Sequence, residues 1–146
     1  MPEVDYPDKF ARGIPNDSYL EDGLPASHLF YFEANASCEP RDDRCNEVSV
    51  NWCDDDGAVE QLLRQAKADG TLQFKAGAVL LSKEKLDYLM HTPLVSNRLS
   101  YERRAIPGNS YHGNLLLTSD TPKSLMKRIA ASIATMCVEP TIRRPG

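Results

Sequence analysis

Apolar positions in this chain change period from one segment to the next, and the changes mark out short strands and helices. Glu47-Val-Ser-Val-Asn-Trp52 alternates polar with apolar, so an extended chain turns Val48, Val50 and Trp52 inward and leaves Glu47, Ser49 and Asn51 on the other face. The aromatic run His28-Leu-Phe-Tyr-Phe-Glu-Ala34 has strand composition and predicts a hairpin with that segment across a long loop. Asp54-Asp-Asp56 then offers an N-cap and acids at a helix's positive end. Val59, Leu62, Leu63 and Ala66 fall at i, i+3, i+4 and i+7, and Gly70 is placed to close that helix in a left-handed conformation. Thr71 to Leu81 alternates until both faces turn apolar at Val79-Leu-Leu81, as in a central strand. Ser82 caps a short helix through Met90, with Leu86, Leu89 and Met90 inward and Pro93 beyond its end.

Two further strands, about 97–105 and 113–118, are joined by the turn residues Pro107-Gly-Asn109 and pair as a hairpin. A last helix takes Thr121 as N-cap and Pro122 as its first residue. It carries Leu125, Met126, Ile129, Ala130, Ile133, Met136 and Cys137 on one broad apolar face and stops before Pro140. The order β-β-α-β-α-β-β-α predicts an α+β fold: a mainly antiparallel or mixed sheet of about five strands with two to three helices packed largely on one face. Pro2, Pro7, Pro15 and Pro25 suppress regular structure in residues 1–27, which read as a Pro-rich acidic N-terminal arm. Residues 28–139 read as one domain and 140–146 as a mobile basic C-terminal tail.

Composition narrows the setting. With 146 residues, 41% of them hydrophobic, the chain can bury a core without metals or disulfides. No apolar stretch approaches the roughly 20 residues that span a bilayer. The acidic start, Met1-Pro-Glu-Val-Asp-Tyr6, is unlike a secretory signal, so the expectation is a cytoplasmic protein with no membrane partner. Reduced thiols are then expected at Cys38, Cys45, Cys53 and Cys137. Cys38, Cys45 and Cys53 with His28 form the one conceivable zinc set, but they lack the close cysteine pair of such sites; free thiols, no metal and no cofactor are the expectation. The aspartate triplet is explained by helix capping rather than by magnesium or calcium.

The net charge of −4 conceals a segregation: residues 1–60 carry fifteen acids and four Lys or Arg, whereas residues 61–146 carry six acids and thirteen bases. Internal pairing or a surface for another protein explains this better than nucleic acid, which the overall sign opposes.

No glycine-rich phosphate loop, dinucleotide fingerprint, nucleophile elbow or paired-histidine metalloprotease helix is present. Candidate chemistry gathers in Arg98 to Asn114. Arg98, Tyr101, Arg103, Arg104, Asn109, Tyr111 and Asn114 are the candidate binding residues, since arginine forks suit phosphate and aromatic rings stack on bases. Glu102 between two arginines equally describes a surface ion pair. His112 is the candidate general acid or base, with Glu102 or Glu47 as partner and Asn109 or Asn114 as donor; bracing the turn is its plainer role. The expected function is that of a small binding or accessory module acting through protein–protein contacts or as a homo-oligomer. The alternative is a hydrolase or transferase acting on a nucleotide or nucleic acid, with His112 as acid or base and Arg103 or Arg104 holding phosphate.

Overall fold

The alternation at residues 46–52 forms a strand whose Val48, Val50 and Trp52 enter the main core, and further strands assemble on both of its edges. A computed structural model describes residues 7–22, 24–34, 46–93 and 95–143 of the chain. Its strands are β1 (Lys9–Ile14), β2 (Leu20–Glu21), β3 (Leu24–Pro25), β4 (Glu33–Ala34), β5 (Asn46–Trp52), β6 (Gly77–Ser82), β7 (Leu99–Arg103), β8 (His112–Leu117) and β9 (Cys137–Arg143). Its α-helices are α1 (Gly57–Arg64), α2 (Lys83–Met90) and α3 (Lys123–Ala134). The sheet is antiparallel throughout, in the order β7-β8-β5-β1-β6-β9, with β4 also pairing with β5; β2 and β3 make a separate hairpin. The fold is α+β, and β5, α1, β6, α2, β7, β8 and α3 follow one another in the expected order.

Differences from the sequence expectations cluster at the ends. Residues 9–14, expected within an irregular arm, form the strand between β5 and β6, so the folded unit begins well before residue 28. Pro7 and Pro15 flank that strand rather than interrupt it, and two neighbours supply the pairing that local propensity lacks. Residues 137–143, expected as a helix end and a tail, form the outer strand β9 on β6. Pro140 is tolerated there because an edge strand does not need every backbone donor. His28 belongs to a 3₁₀ turn, Ser27–Phe30, whose Leu29 and Phe30 are both buried; only Glu33 and Ala34 of the aromatic run become strand. Helix α1 ends at Arg64, and Gly70, at φ +87°, serves a turn closed by Gly70 N–H on the Lys67 carbonyl (2.9 Å). The strand expected from Thr71 starts only at Gly77, whose φ of +109° breaks the extended run before it. The aspartate triplet starts α1 as expected, with Asp56 at the N-cap and Asp55 accepting from Gly57 N (2.8 Å), whereas Pro122 rather than Thr121 is the N-cap of α3.

Successive residues of the central strands separate two cores. Phe10, Ile14, Val50, Trp52, Val79 and Leu81 face the main core with Leu86 of α2 and Ile129, Ala130 and Ile133 of α3. Ala11, Ala78 and Leu80 face the other way, onto Leu62 of α1. Trp52 centres the main core: its ring meets Phe10 edge-on at 4.4 Å and Tyr101 at 5.4 Å, and its Nε1–H donates to the Glu102 carbonyl (3.2 Å). The indole reaches that carbonyl only because residue 113 is glycine, since a Cβ there would overlap both groups.

Candidate functional site

The strand that local propensity hides, β1, also borders a concavity, and it is paired unevenly on its two edges. It runs beside β6 for six residue pairs, from Lys9↔Ser82 to Ile14↔Gly77, but beside β5 for only two, Phe10↔Trp52 and Ala11↔Asn51. The Lys9 carbonyl accepts from Cys53 N (3.1 Å), so by the period of two, residues 9, 11 and 13 turn their backbone groups toward β5. The next rung would join Gly13 to Ser49. The strands part instead, and Arg12 enters the split: Nη1 donates to the Ser49 carbonyl (2.9 Å) and Nε to the Leu29 carbonyl (3.1 Å). Pairing on that edge of β5 resumes with β4 at Glu33↔Glu47, which leaves an opening one rung long. A Cβ on residue 13 would overlap the Phe74 ring, so glycine is what lets that ring close one side.

Above the opening lies a cleft of about 360 Å³ between the 65–74 loop and the turn before β8. Its polar lining is Arg12, Ser49, Asn51, Gln65, Gln73, Asn109 and His112; Leu62, Phe74 and Ile106 contribute apolar surface, and among the described residues no lining residue is acidic. Carboxamides hold the walls. Asn51 Nδ2 donates to the Ala58 carbonyl of α1 (2.9 Å), Asn51 Oδ1 accepts from Asn109 Nδ2 (2.9 Å), and Asn109 Oδ1 accepts from Tyr111 N (3.1 Å). Asn51 is 1% and Asn109 7% exposed, so this relay ties helix to turn out of water's reach. Gln65 Nε2 donates to Gln73 Oε1 (2.7 Å) on the facing wall. Burial lowers the Arg12 guanidinium to about 10, against the pull of nearby Tyr19 and Glu33, and leaves it charged at neutral pH.

Of the candidates read from the sequence, Asn109 and His112 reach this cleft. His112 braces the turn, its Nδ1–H donating to the Arg104 carbonyl (2.9 Å). Glu102 and Glu47 do not line the cleft, nor does any arginine of the 98–104 segment. Arg103 makes a fork on Asp54, with Nη1 at 2.7 Å, and stacks 5.2 Å over Trp52; its donated hydrogen bonds hold the Asp54 carboxyl below the ordinary range. Arg104 lies 3.7 Å from Glu102 and Arg98 3.5 Å from Asp120. Tyr101 packs on Phe10 and Trp52 and donates to Asp87 (2.7 Å); burial first, then Asp87, pushes its phenol up. Tyr111 donates to Asp55 (2.7 Å), which raises its phenol as well. Asn114, opposite Ser49 and 2% exposed, keeps a buried Oδ1 with no hydrogen-bond partner.

Arg12, Gly13, Ser49, Asn51, Gln65 and Gln73 are site residues that sequence reasoning missed. The available signal was a cation and a glycine inside Phe10-Ala-Arg-Gly-Ile14, where a strand pattern should be apolar. In the conceivable zinc set, Cys38 and Cys45 lie outside the described residues, Cys53 is half-buried and His28 stacks 4.7 Å from Tyr19. Among the described residues no group of three His, Cys, Asp or Glu is arranged to hold a metal, and no helix is long and apolar enough to cross a membrane. No protein-family model, curated protein or solved structure matches this chain.

Proposed function

We propose that this chain is a cytoplasmic binding module that receives a segment of a partner protein in the cleft between the 65–74 loop and the turn before β8. The observation that carries this reading is the open rung at Gly13 and Ser49. It turns strand-edge backbone toward a cleft walled by carboxamides, the side chains best matched to peptide groups. Apolar surface from Leu62, Phe74 and Ile106 supplies the burial that such recognition needs. A hydrolase or transferase centred on His112 is supported less well, because among the described residues no carboxylate and no second histidine or thiol lines the cleft with it. Nucleic-acid binding is disfavoured for a related reason: Arg98, Arg103 and Arg104 each have a carboxylate partner.

Selection from a displayed library of random peptides tests the proposal. Peptides enriched on the wild-type protein are expected to lose binding to Ile106→Arg, which places a bulky cation at the lip of the cleft where Ile106 is 43% exposed. Enrichment that survives this substitution, or none at all, overturns it.

A further inference from the structure

Arg12 is a costly residue to place where it is. Its guanidinium is held among the backbones of β1, β5 and the 3₁₀ turn, yet Nε and Nη1 meet only carbonyl oxygens. Among the described residues no carboxylate lies within ion-pair distance of it, and Nη2 makes no hydrogen bond. Arg12 is half-buried, and a partly desolvated cation is ordinarily paired, because two neutral acceptors offset only part of the lost hydration. Among the described residues the acid that acts on it is Glu33, across the opening on β4 and exposed to solvent.

From this geometry we infer that the cleft is a carboxylate site in which Arg12 anchors the free C-terminal carboxylate of the bound segment. The inference rests on the binding role proposed above and names the chemistry of its ligand. Three observations carry it. Among the described residues the cleft offers one arginine and no lining acid, which matches a monoanion; a phosphate dianion would call for more than one cation and would feel Glu33 more strongly. Along β5 the opening is closed at one end by the Ala11↔Asn51 rung and at the other by Glu33↔Glu47, so it has room for the end of a chain but not for a strand passing through. Gly13 and Ser49 turn backbone groups into that space, where the last peptide unit of a ligand would find partners while its carboxylate meets Arg12.

The test compares N-acetylglycyl-phenylalanine, ending in a free carboxylate, with the same molecule ending in an amide. Both are titrated at millimolar concentration into the wild-type full chain, reading the Arg12 Nε–H and the Gly13 and Ser49 amide resonances. The acid is expected to shift all three and the amide to bind at least about tenfold more weakly, the scale of one lost charge-assisted contact. Arg12→Met is expected to abolish the preference and Arg12→Lys to restore part of it; the wild-type comparison stands even if either variant folds poorly. Equal binding of acid and amide, both blocked by Ile106→Arg, overturns the carboxylate inference while leaving the cleft as a binding site. Inorganic phosphate shifting the same resonances as strongly as the acid overturns the preference for a carboxylate. No shift with either peptide overturns the inference outright, and the library selection then judges the cleft on its own.

Discussion

Replacing Asn109 with leucine, similar in size but unable to donate or accept, isolates the amide relay that joins α1 to the turn before β8. The substitution removes the bond to Asn51 Oδ1 and the one from Tyr111 N, each worth about 1 kcal/mol net. It also strands Asn51 Oδ1 in a residue 1% exposed, at a further 1–3 kcal/mol or so. Added leucine burial returns about 1 kcal/mol, so the expected loss is roughly 2–4 kcal/mol. Asn51→Leu strands Asn109 Nδ2 and the Ala58 carbonyl and belongs in the same range. The double variant leaves neither side-chain amide facing the other unpaired, and its loss should fall short of the summed single losses by about 1–3 kcal/mol. Urea unfolding of the wild type and the three variants, analysed at constant m-value, measures the difference. Single-variant losses that add to within about 0.5 kcal/mol would refute the relay, because independent amides have nothing to share.

Two further outcomes are expected. Gly113→Ala should lower stability by about 3 kcal/mol or more and shift tryptophan emission, because a Cβ cannot coexist with the indole and the Glu102 carbonyl; an unchanged melting midpoint would show that Trp52 does not cross that position. The Asp54–Arg103 fork should stabilise the fold fully above the ordinary carboxylate pKa and lose its effect as pH falls through the lower folded-state value. With the side chains 40% and 30% exposed it is worth no more than about 1 kcal/mol; Asp54→Asn should flatten that part of a urea-midpoint series between neutral and acid pH, and an unaltered series would refute the assignment.

What the sequence made legible was whatever a single segment decides. The alternation around Val48, Val50 and Trp52, the Ser82 cap on α2 (Lys85 N to Ser82 Oγ, 3.3 Å) and the Ile129–Ile133 stripe of α3 are local patterns, and each formed the expected element. β1 was illegible because Arg12 and Gly13 spoil its periodicity and its strand character comes from β5 and β6. The candidate site was half legible for the same reason. Asn109 and His112 stood out in a polar turn, whereas Gln65, Gln73 and Arg12 acquire meaning only when strands and loops distant in sequence converge. Around β7 the sequence suggests arginine forks for phosphate or an ion pair with Glu102, yet Arg103 finds Asp54 forty-nine residues away, a pairing that no local pattern announces.

The uneven pairing of β1 also has a mechanical consequence. β7, β8, β5 and β4 form one leaf of the sheet and β1, β6 and β9 the other, and the leaves are stitched by two residue pairs, the Cys53–Lys9 bond and the guanidinium of Arg12. Such a seam is where a sheet yields first, with amide exchange at Gly13 and Ser49 running ahead of Phe10 and Arg12, which are sealed against β6. A ligand seated there would draw the leaves together, so that occupancy registers as stiffness across the whole sheet.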